Sequence, residues 1–293
     1  MSCREAFVCA WSRAQHRLAA AGVETPVIDA RLLLEAAAGA SRAEIIADPR
    51  RTLTPEQSVV FDAYLARRVA REPVSRILGS KGFWNIMLKV TADVLTPRPE
   101  TETILDVVLP CFAAERRFSI LELGIGSGTI LLALLSERPG AFGLGVDISE
   151  QALAVARQNA IDLGLASRLA LLRADWTKGL SPGHFDLVVA NPPYVAIADL
   201  AALEPEVRDH EPLVALNGGA DGLDAYRSLA PQVLDALRPG GLFAVEIGAE
   251  QGDAVISLFG GLGAEDVRRV SDLAGRERVV AGKKSLGQCH TSG

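Results

Sequence analysis

The chain has 293 residues, 49% hydrophobic and 23% charged, so it can bury a sizeable core and has room for about two domains. Its formal net charge of -6 argues against a protein whose main task is to grip nucleic-acid phosphates, because such domains usually carry a basic surface. No uninterrupted apolar run reaches the ~18 residues that a membrane span requires, so we expect no membrane partner.

The cysteines are scattered along the sequence and include no C-x-x-C pair. We therefore expect free thiols in a reducing cytoplasm, without disulfides and without a metal site. A metal role for the adjacent pair Cys289-His290 is the alternative. None of the histidines lies near a candidate acid or nucleophile, so we assign no histidine a catalytic role. The cysteines are Cys3, Cys9, Cys111 and Cys289.

The N-terminal segment lacks the basic and apolar stretches of a secretory signal. It contains several arginines and few acids, as a mitochondrial transit peptide does, and that alternative stays open. Its apolar spacing continues smoothly towards the next segment, which favours an ordinary first helix.

Residues 1–73 are predicted to form a small helical domain. Apolar residues recur at helical spacing in the first twenty or so positions, and no strand signal appears in this region. The basic cluster Arg67, Arg68 and Arg71, near the end of the last helix, is interpreted as a solvated helix face. Helix start and stop signals are, in chain order, Thr25-Pro26, Gly39, Ser41-x-x-Glu44 and Thr54-x-x-Gln57.

Residues 74–99 are predicted to form a β-hairpin that links two domains. Two short segments rich in β-forming residues lie between Arg76 and Val90, on either side of a glycine-containing turn. The prolines of Thr96-Pro97-Arg98-Pro99 exclude a helix there, so the next helix is expected to begin at Thr101 or Glu102.

Residues 100–282 alternate apolar strand-like runs with helical segments such as Ser149–Leu163 and Asp224–Leu237. This alternation is typical of a mostly parallel sheet with helices on both faces. Residues 283–293 are predicted to be a disordered tail. The predicted strands are Ser119–Leu123, Gly143–Val146, Leu169–Leu172, Phe185–Ala190 and Leu242–Ile247, with a terminal antiparallel pair at Ala264–Val270 and Arg278–Ala281.

A glycine turn joins the first of these strands to the following helix. In an α/β sheet such a turn lies at the carboxyl edge, where ligands bind, and glycine allows tight turning and close approach of a ligand. Its G-x-G-x-G spacing differs from the dinucleotide fingerprint, and no P-loop sequence is present. The turn consists of Gly124, Ile125, Gly126, Ser127 and Gly128.

Two further positions at the same predicted edge favour an adenosine-containing cofactor. Asp147 ends the next strand about twenty residues after the glycine turn, where a carboxylate can accept hydrogen bonds from ribose hydroxyls. The alternative is an N-cap aspartate, but Ser149 is predicted to cap the following helix, which leaves Asp147 available. Asp175 and Trp176 follow another strand and are candidates to contact the adenine; the alternative is that both are ordinary turn residues.

The tetrapeptide Asn191-Pro192-Pro193-Tyr194 follows a buried strand and indicates the chemistry. The simpler alternative is a strand-ending turn. A planar amide or exocyclic NH2 group is a poor nucleophile, and the Asn191 side-chain oxygen and the Pro192 carbonyl can each accept one of its N–H groups. The prolines stiffen the backbone, and Tyr194 offers a flat face to a planar substrate. Catalysis of methyl transfer would then rest on positioning and preorganised dipoles.

With these motifs in this order, the chain resembles class I methyltransferases that act on exocyclic or amide nitrogen. Further segments make it similar to the release factor glutamine methyltransferase family, over about residues 5–282. Glu122 stands where the family often has Asp, and Ile125 where it often has Thr. The segments that carry this resemblance are 71–74, Phe83-Trp84, 96–102, 207–212, 218–223 and Glu246-Ile247-Gly248.

The resemblance implies an α/β fold with a Rossmann-like methyltransferase domain, a small N-terminal helical domain and a joining hairpin. It implies a bacterial cytoplasmic enzyme that transfers methyl from S-adenosyl-L-methionine to the glutamine N5 of the Gly-Gly-Gln motif in class 1 release factors. Residues Gly124 to Gly128, Asp147, Trp176 and Asn191 would contact the cofactor, and Asn191 to Tyr194 would hold the glutamine. A DNA adenine-N6 methyltransferase and a ribosomal-protein glutamine methyltransferase are the alternatives, although the acidic balance disfavours the former.

Overall fold

The structure is a computed structural model that describes residues 5–286. These residues form two compact units. The first unit contains the chain up to Ser80 together with Glu204–His210, and the second contains Lys81–Leu203 and the chain from Glu211 onward. The segment Glu204–His210 is thus far in sequence from the rest of its unit.

Helices packed around an apolar core build the first unit. The core includes fully buried side chains such as Leu18, Leu33 and Phe61. The helices are α1 (Phe7–Ala20), α2 (Pro26–Ala38), α3 (Arg42–Ala47), α4 (Pro55–Val69) and α5 (Val74–Leu78).

Most of the predicted helix signals in the first unit are confirmed. Gly39 ends α2 in the left-handed conformation, with φ of 60°. Thr25 stands at the N-cap and Pro26 begins α2 as predicted, but the Thr25 side chain makes no capping bond and instead donates to Asp29 Oδ1 at 3.0 Å. Both capping boxes are present, Ser41 with Glu44 and Thr54 with Gln57.

The sequence suggested that the basic cluster at the end of α4 is a solvated face, but only Arg67 is exposed, while Arg68 and Arg71 are paired with acids. Arg68 is only 5% exposed, and its guanidinium bonds Asp29 Oδ2 at 2.7 Å and Glu206 Oε1 at 2.9 Å. Arg71 donates two hydrogen bonds to the same Glu206 carboxylate, at 2.7 and 2.6 Å. Burial alone would raise the pKa of Glu206, but these hydrogen bonds lower it to about 2. The acid that neutralises the cluster comes from the distant segment Glu204–His210, which charge spacing along α4 cannot reveal.

The predicted hairpin is present but shorter than expected. Its strands are β1 (Ser80–Phe83) and β2 (Ile86–Lys89). Residues 74–78, assigned to the hairpin segment from sequence, form α5 instead, because Pro73 stands at the N-cap and Gly79 ends the turn in the left-handed conformation.

The second unit contains a seven-stranded sheet of order β5-β4-β3-β6-β7-β9-β8. Strands β3 to β7 run parallel to one another, and β9 runs antiparallel to both β7 and β8, which confirms the predicted fold class. The strands are β3 (Phe118–Leu123), β4 (Ala141–Asp147), β5 (Leu169–Arg173), β6 (Phe185–Ala190), β7 (Leu237–Glu246), β8 (Ala264–Ser271) and β9 (Glu277–Lys284). The further helices are α6 (Glu102–Val108), α7 (Thr129–Glu137), α8 (Glu150–Asp162), α9 (Pro205–Arg208, in the first unit), α10 (Asp224–Ala236) and α11 (Gly252–Gly261).

The C-terminal end of the sheet differs slightly from the prediction. Lys283 and Lys284 were assigned to a tail but belong to β9, where they pair with β7 and β8. The rest of the predicted tail, from residue 287, lies outside the described residues, as do Cys3 and the pair Cys289-His290. Cys9 and Cys111 are exposed free thiols.

Alternate residues of the central strands face opposite layers of helices. Ile120 of β3 joins the core formed with α6, α7 and α8, and Leu121 joins the core formed with α10 and α11. Since β3 lies between β4 and β6, the chain order reverses on either side of it, and the carboxyl ends of these strands border a crevice. This crevice is where the predicted site residues meet.

Candidate active site

A cavity of about 390 Å³ lies at the carboxyl edge of the parallel strands, a size suited to a small ligand. Parts of the chain that are far apart in sequence contribute to its wall, since the loops after β3, β4, β5 and β6 all reach it. Among the residues predicted from sequence, its wall includes Gly124, Ile125, Gly126, Ser127, Asp147, Asp175, Trp176, Asn191, Pro192 and Pro193.

The glycine turn forms one side of this cavity in a conformation that requires glycine. Gly124 and Gly126 have φ of 73° and 54°, which L side chains rarely adopt. A Cβ built on Gly126 would meet no atom within 4 Å and would stand in open space. Gly128 has a different role: it is absent from the wall, and a Cβ there would come within 2.6 Å of Leu132 Cδ1. It lets the chain enter α7.

Asp147 is already engaged in the structure, whereas the sequence suggested that it was free. Its Oδ2 accepts a hydrogen bond from Gly126 N at 2.9 Å, and its Oδ1 accepts one from Ser149 N at 2.9 Å. Ser149 caps α8 as predicted, since its Oγ accepts from Ala152 N at 3.1 Å. A carboxylate has room for about four hydrogen bonds, so Asp147 holds the glycine turn and keeps acceptor capacity for a ligand.

Glu122 is a cavity residue that the sequence analysis did not assign to the site. It is 2% exposed, and its Oε2 accepts from Leu131 N at 2.9 Å, in the first turn of α7. Burial raises the pKa of Glu122 well above its ordinary value, and the neighbouring charge of Asp147 raises it further. Its position two residues before Gly124 was the signal that could have identified it.

Trp176 and Asp175 lie in the cavity wall after β5. Trp176 has φ of 54°, unusual for a bulky residue, and its ring lies 3.8 Å from the position that a Cβ on Gly124 would take. The indole therefore faces the glycine turn. Asp175 is exposed and forms an ion pair with Lys178.

The tetrapeptide after β6 is split between the cavity and the core. Asn191 lies in the wall, and its Nδ2 donates to Thr101 Oγ1 at 3.3 Å. Tyr194 is not part of the wall; its ring packs with the core beneath α10 and α11, and burial raises the pKa of its phenol. That Tyr194 offers a flat face to a substrate stays a prediction.

The loop that contains Leu216 and Gly218 packs beside the tetrapeptide. Val195 N donates to Leu216 O at 2.9 Å, and Gly218 N donates to Val195 O at 2.8 Å. A Cβ on Gly218 would come within 2.8 Å of Tyr194 Cα, so only glycine allows this approach. Gln251, which the sequence analysis missed, adds a third connection through the carbonyl of Tyr194. Residue spacing could not have predicted this contact, because Gln251 and Tyr194 are 57 residues apart in the sequence.

The described residues contain neither a metal-binding group of side chains nor a membrane-spanning helix. Within residues 5–286, no three or more side chains of the metal-ligating types come together as an ion-binding group. No helix in that same range is both long and apolar enough to span a bilayer.

The fold is shared with solved methyltransferases. A ribosomal protein L11 methylase from Lactobacillus delbrueckii subsp. bulgaricus aligns with a TM-score of 0.50 and 18% identity, over 68% of this chain and 84% of that one. Residues 103–204 match the methyltransferase small domain family, and residues 10–79 match the PrmC N-terminal domain family. The fold and these matches define a methyltransferase.

Curated relatives narrow this class. A release factor glutamine methyltransferase of Caulobacter vibrioides is 58% identical over 95% of this chain and 96% of its own length. Another, of Rhodospirillum rubrum, is 48% identical over 93% of this chain and 83% of its own length. The chain belongs to the release factor glutamine methyltransferase family, which confirms the resemblance stated from sequence.

Proposed function

We propose that this protein transfers a methyl group from S-adenosyl-L-methionine to the side-chain nitrogen N5 of the glutamine in the Gly-Gly-Gln motif of class 1 peptide chain release factors. One observation carries the proposal: Asn191 and Pro192 line the same cavity as the glycine turn and Asp147. A clamp for an NH2 group and a cradle for an adenosine cofactor therefore border one volume.

The chemistry of the cavity fits the cofactor. The open space beside Gly126 leaves room for a ligand against the backbone, and the Asp147 carboxylate is suited to ribose hydroxyls. The Trp176 ring offers a face to the adenine, and Asp175 lies next to it to meet the adenine amino group. When bound, S-adenosyl-L-methionine supplies an electrophilic methyl group on a positively charged sulfur.

The Asn191 Oδ1 and the Pro192 carbonyl would each accept one N–H of the substrate amide. This fixes the nitrogen and directs electron density towards it, while the prolines hold the carbonyl in place. A charged base is not required before transfer, because the N–H becomes acidic only once the nitrogen has gained the methyl group. The chain thus acts through preorganised dipoles.

The substrate class rests on the relatives. Proteins named release factor glutamine methyltransferase are 39–58% identical to this chain over most of its length. Their names support a release factor as the acceptor and do not favour DNA adenine or a ribosomal protein. The net charge of -6 also disfavours a DNA substrate.

The proposed substrate is tested by offering labelled cofactor with a class 1 release factor, duplex DNA and ribosomal proteins in parallel. Label should appear on the release factor, and peptide mass spectrometry should locate it on the glutamine of Gly-Gly-Gln. A release factor with alanine at that glutamine is the control and should remain unlabelled. Labelling of DNA or ribosomal proteins without labelling of the release factor would overturn the proposal.

We also propose that the first unit docks the release factor, because a small amide pocket cannot distinguish one protein's glutamine from others. Exposed apolar pairs on its helices offer test sites: Val27 and Ile28 on α2, and Val59 and Val60 on α4. Serine at one of these pairs should slow transfer to the intact factor but not to a short Gly-Gly-Gln peptide. Ile161→Ser, 54% exposed in the second unit, is the matched control. Equal effects on protein and peptide, or none with either pair, would leave the first unit a structural role only.

A further inference from the structure

A buried carboxylate stands behind the acceptor side of the cavity. Glu246, at the end of β7, is 2% exposed and is not part of the cavity wall. The hydroxyl of Thr101 and the carboxamide of Asn191, which do line the cavity, both hydrogen-bond to it. Within residues 5–286 its Oε2 has no hydrogen-bond partner. A buried acid that is only partly satisfied is costly, so its presence calls for an explanation.

The hydrogen-bonding capacities of the three groups fix the direction of each bond. An ionised carboxylate can only accept, so the Thr101 hydroxyl must donate its single proton to Glu246. The Thr101 oxygen is then left as an acceptor, and the Asn191 atom that faces it at 3.3 Å must be the NH2 nitrogen. With Nδ2 committed on this side, the Asn191 Oδ1 is turned away from Glu246.

We propose that Glu246 is a positioning residue that, with Thr101, holds the Asn191 carboxamide with its oxygen presented to the acceptor nitrogen. This inference rests on the proposed function, in which that oxygen accepts an N–H of the glutamine. The negative charge also polarises the chain of hydrogen bonds, which strengthens Oδ1 as an acceptor. Without Glu246, the Thr101 hydroxyl can donate its proton to Asn191 instead. The Asn191 carboxamide would then turn its oxygen towards Thr101 and its NH2 group towards the substrate amide, whose N–H groups are also donors.

Other charged and titratable groups face Glu246 as well. Arg278 of β9 favours its ionised form, and Glu100 disfavours it. The hydroxyl of Tyr226 donates to the Glu246 backbone oxygen at 2.9 Å. Burial raises the phenol pKa of both Tyr194 and Tyr226, so these two groups stay neutral as Glu246 titrates.

The positioning role predicts a pH dependence with a definite sign. Burial raises the pKa of Glu246 to about 7, although the Thr101 hydrogen bond and the charge of Arg278 oppose the rise. Below that pH the carboxyl group is protonated and can donate to Thr101, so the bond directions are no longer fixed. Methyl transfer should therefore increase as pH rises through about 7.

Single-turnover rates with a release factor and the affinity for S-adenosylhomocysteine test the role. Glu246→Gln and Thr101→Val should each slow transfer about tenfold or more, with cofactor affinity within about twofold. Both should lose the rise of rate with pH near 7, and the double variant should be no slower than either single one. Thr101→Ser, which keeps the hydroxyl, should restore the pH profile. Thr103→Val is the matched control, because Thr103 is a threonine of α6, 6% exposed, that is not among the three side chains of the proposed hydrogen-bond chain.

A second measurement does not depend on turnover. The side-chain NH2 signals of Asn191, assigned by their loss in Asn191→Ala, should shift with a midpoint near pH 7 in the wild-type protein. The shift should be absent in Glu246→Gln and in Thr101→Val. The positioning role would be overturned if Glu246→Gln transferred methyl at a rate within about twofold of wild type. It would also be overturned if the Asn191 NH2 signals of the wild-type protein did not change with pH. If the glutamine variant does not fold, the Thr101 variants decide. Amide signals that titrate as expected, in a protein that methylates no release factor, would support the role and defeat the proposed function.

Discussion

The Nε2 of Gln251 donates a hydrogen bond to the carbonyl oxygen of Tyr194 at 3.0 Å, across 57 residues of sequence. The same amide nitrogen donates to Gly222 O at 3.1 Å, and its Oε1 accepts from Gly248 N at 3.0 Å. One side chain thus joins the end of the tetrapeptide to the loops that follow β6 and β7.

Replacing Gln251 should therefore loosen the tetrapeptide without touching the cavity. Gln251→Leu leaves two carbonyls and one N–H without partners, and we expect the free energy of unfolding to fall by about 1–3 kcal/mol. Misplacement of Asn191 and Pro192 should slow single-turnover transfer by roughly ten- to a hundredfold. Chemical denaturation and rate measurements check both. Gln158→Leu, on the exposed face of α8, is the control; equal rates for the two variants would remove Gln251 from the positioning of the loop.

Asp147→Ala should weaken binding of S-adenosylhomocysteine by about 1–3 kcal/mol, because ribose hydroxyls lose a charged acceptor. The same substitution removes the hydrogen bond from Gly126 N to the Asp147 carboxylate, so hydrogen exchange at the Gly126 amide should become faster. Calorimetric titration measures the affinity. Asp253→Ala, with a side chain 89% exposed and outside the cavity wall, is the matched control. An affinity unchanged by Asp147→Ala would refute the ribose assignment.

Asn191→Ala should lower the rate of methyl transfer by about a hundred- to a thousandfold, because a preorganised contact to the reacting amide is lost. Cofactor affinity should fall much less, since most of the cavity wall is unchanged. Single-turnover transfer to a release factor, with calorimetry in parallel, separates the two effects. A loss smaller than about tenfold would mean that the amide clamp is not how this protein works.

Neighbouring arginines on α4 should differ sharply in their effect on stability. Arg68→Ala leaves the buried carboxylate of Asp29 without its guanidinium partner and leaves Glu206 with Arg71 alone, and we expect a loss of about 3–5 kcal/mol in the free energy of unfolding. Arg67→Ala removes the ion pair with Glu72 and two hydrogen bonds to the carbonyls of Ile77 and Arg76, but from a side chain that is 44% exposed, so the loss should be smaller, about 1–2 kcal/mol. Denaturation of the two variants under identical conditions makes the comparison. Similar losses would show that the buried network adds little.

Local sequence patterns were enough to predict the strands of the sheet and the edge of the sheet at which the site lies. Apolar runs such as Phe185–Ala190 are continuous because both faces of a central parallel strand are buried, and that signal needs no distant partner. The glycine turn and the Asn191 tetrapeptide were identified for the same reason, as each is a short continuous segment.

What the sequence missed consists of groups whose meaning depends on a remote neighbour. Glu246 and Gln251 contact the tetrapeptide from β7 and from the start of α11. Glu246 belongs to a segment that carries the family resemblance, but that segment does not disclose its contact with Asn191. Arg68 was predicted to be solvated because its acidic partners are not spaced along its own helix.

The segment Glu204–His210 also has a consequence for how the protein is made. Arg71 and its partner Glu206 are 135 residues apart, so the ribosome must synthesise that much chain before the first unit can close its ion-pair network. At ordinary rates of synthesis the delay is roughly 7–27 s. During this interval Arg71 lacks the carboxylate that neutralises it and Arg68 has only Asp29, so the N-terminal helices should be more open to proteolysis. Pulse proteolysis of ribosome-bound chains arrested before and after residue 206 would detect a gain in protection at that point, and equal protection would exclude it. The N-terminal half of the chain would then depend on late synthesis for its completion.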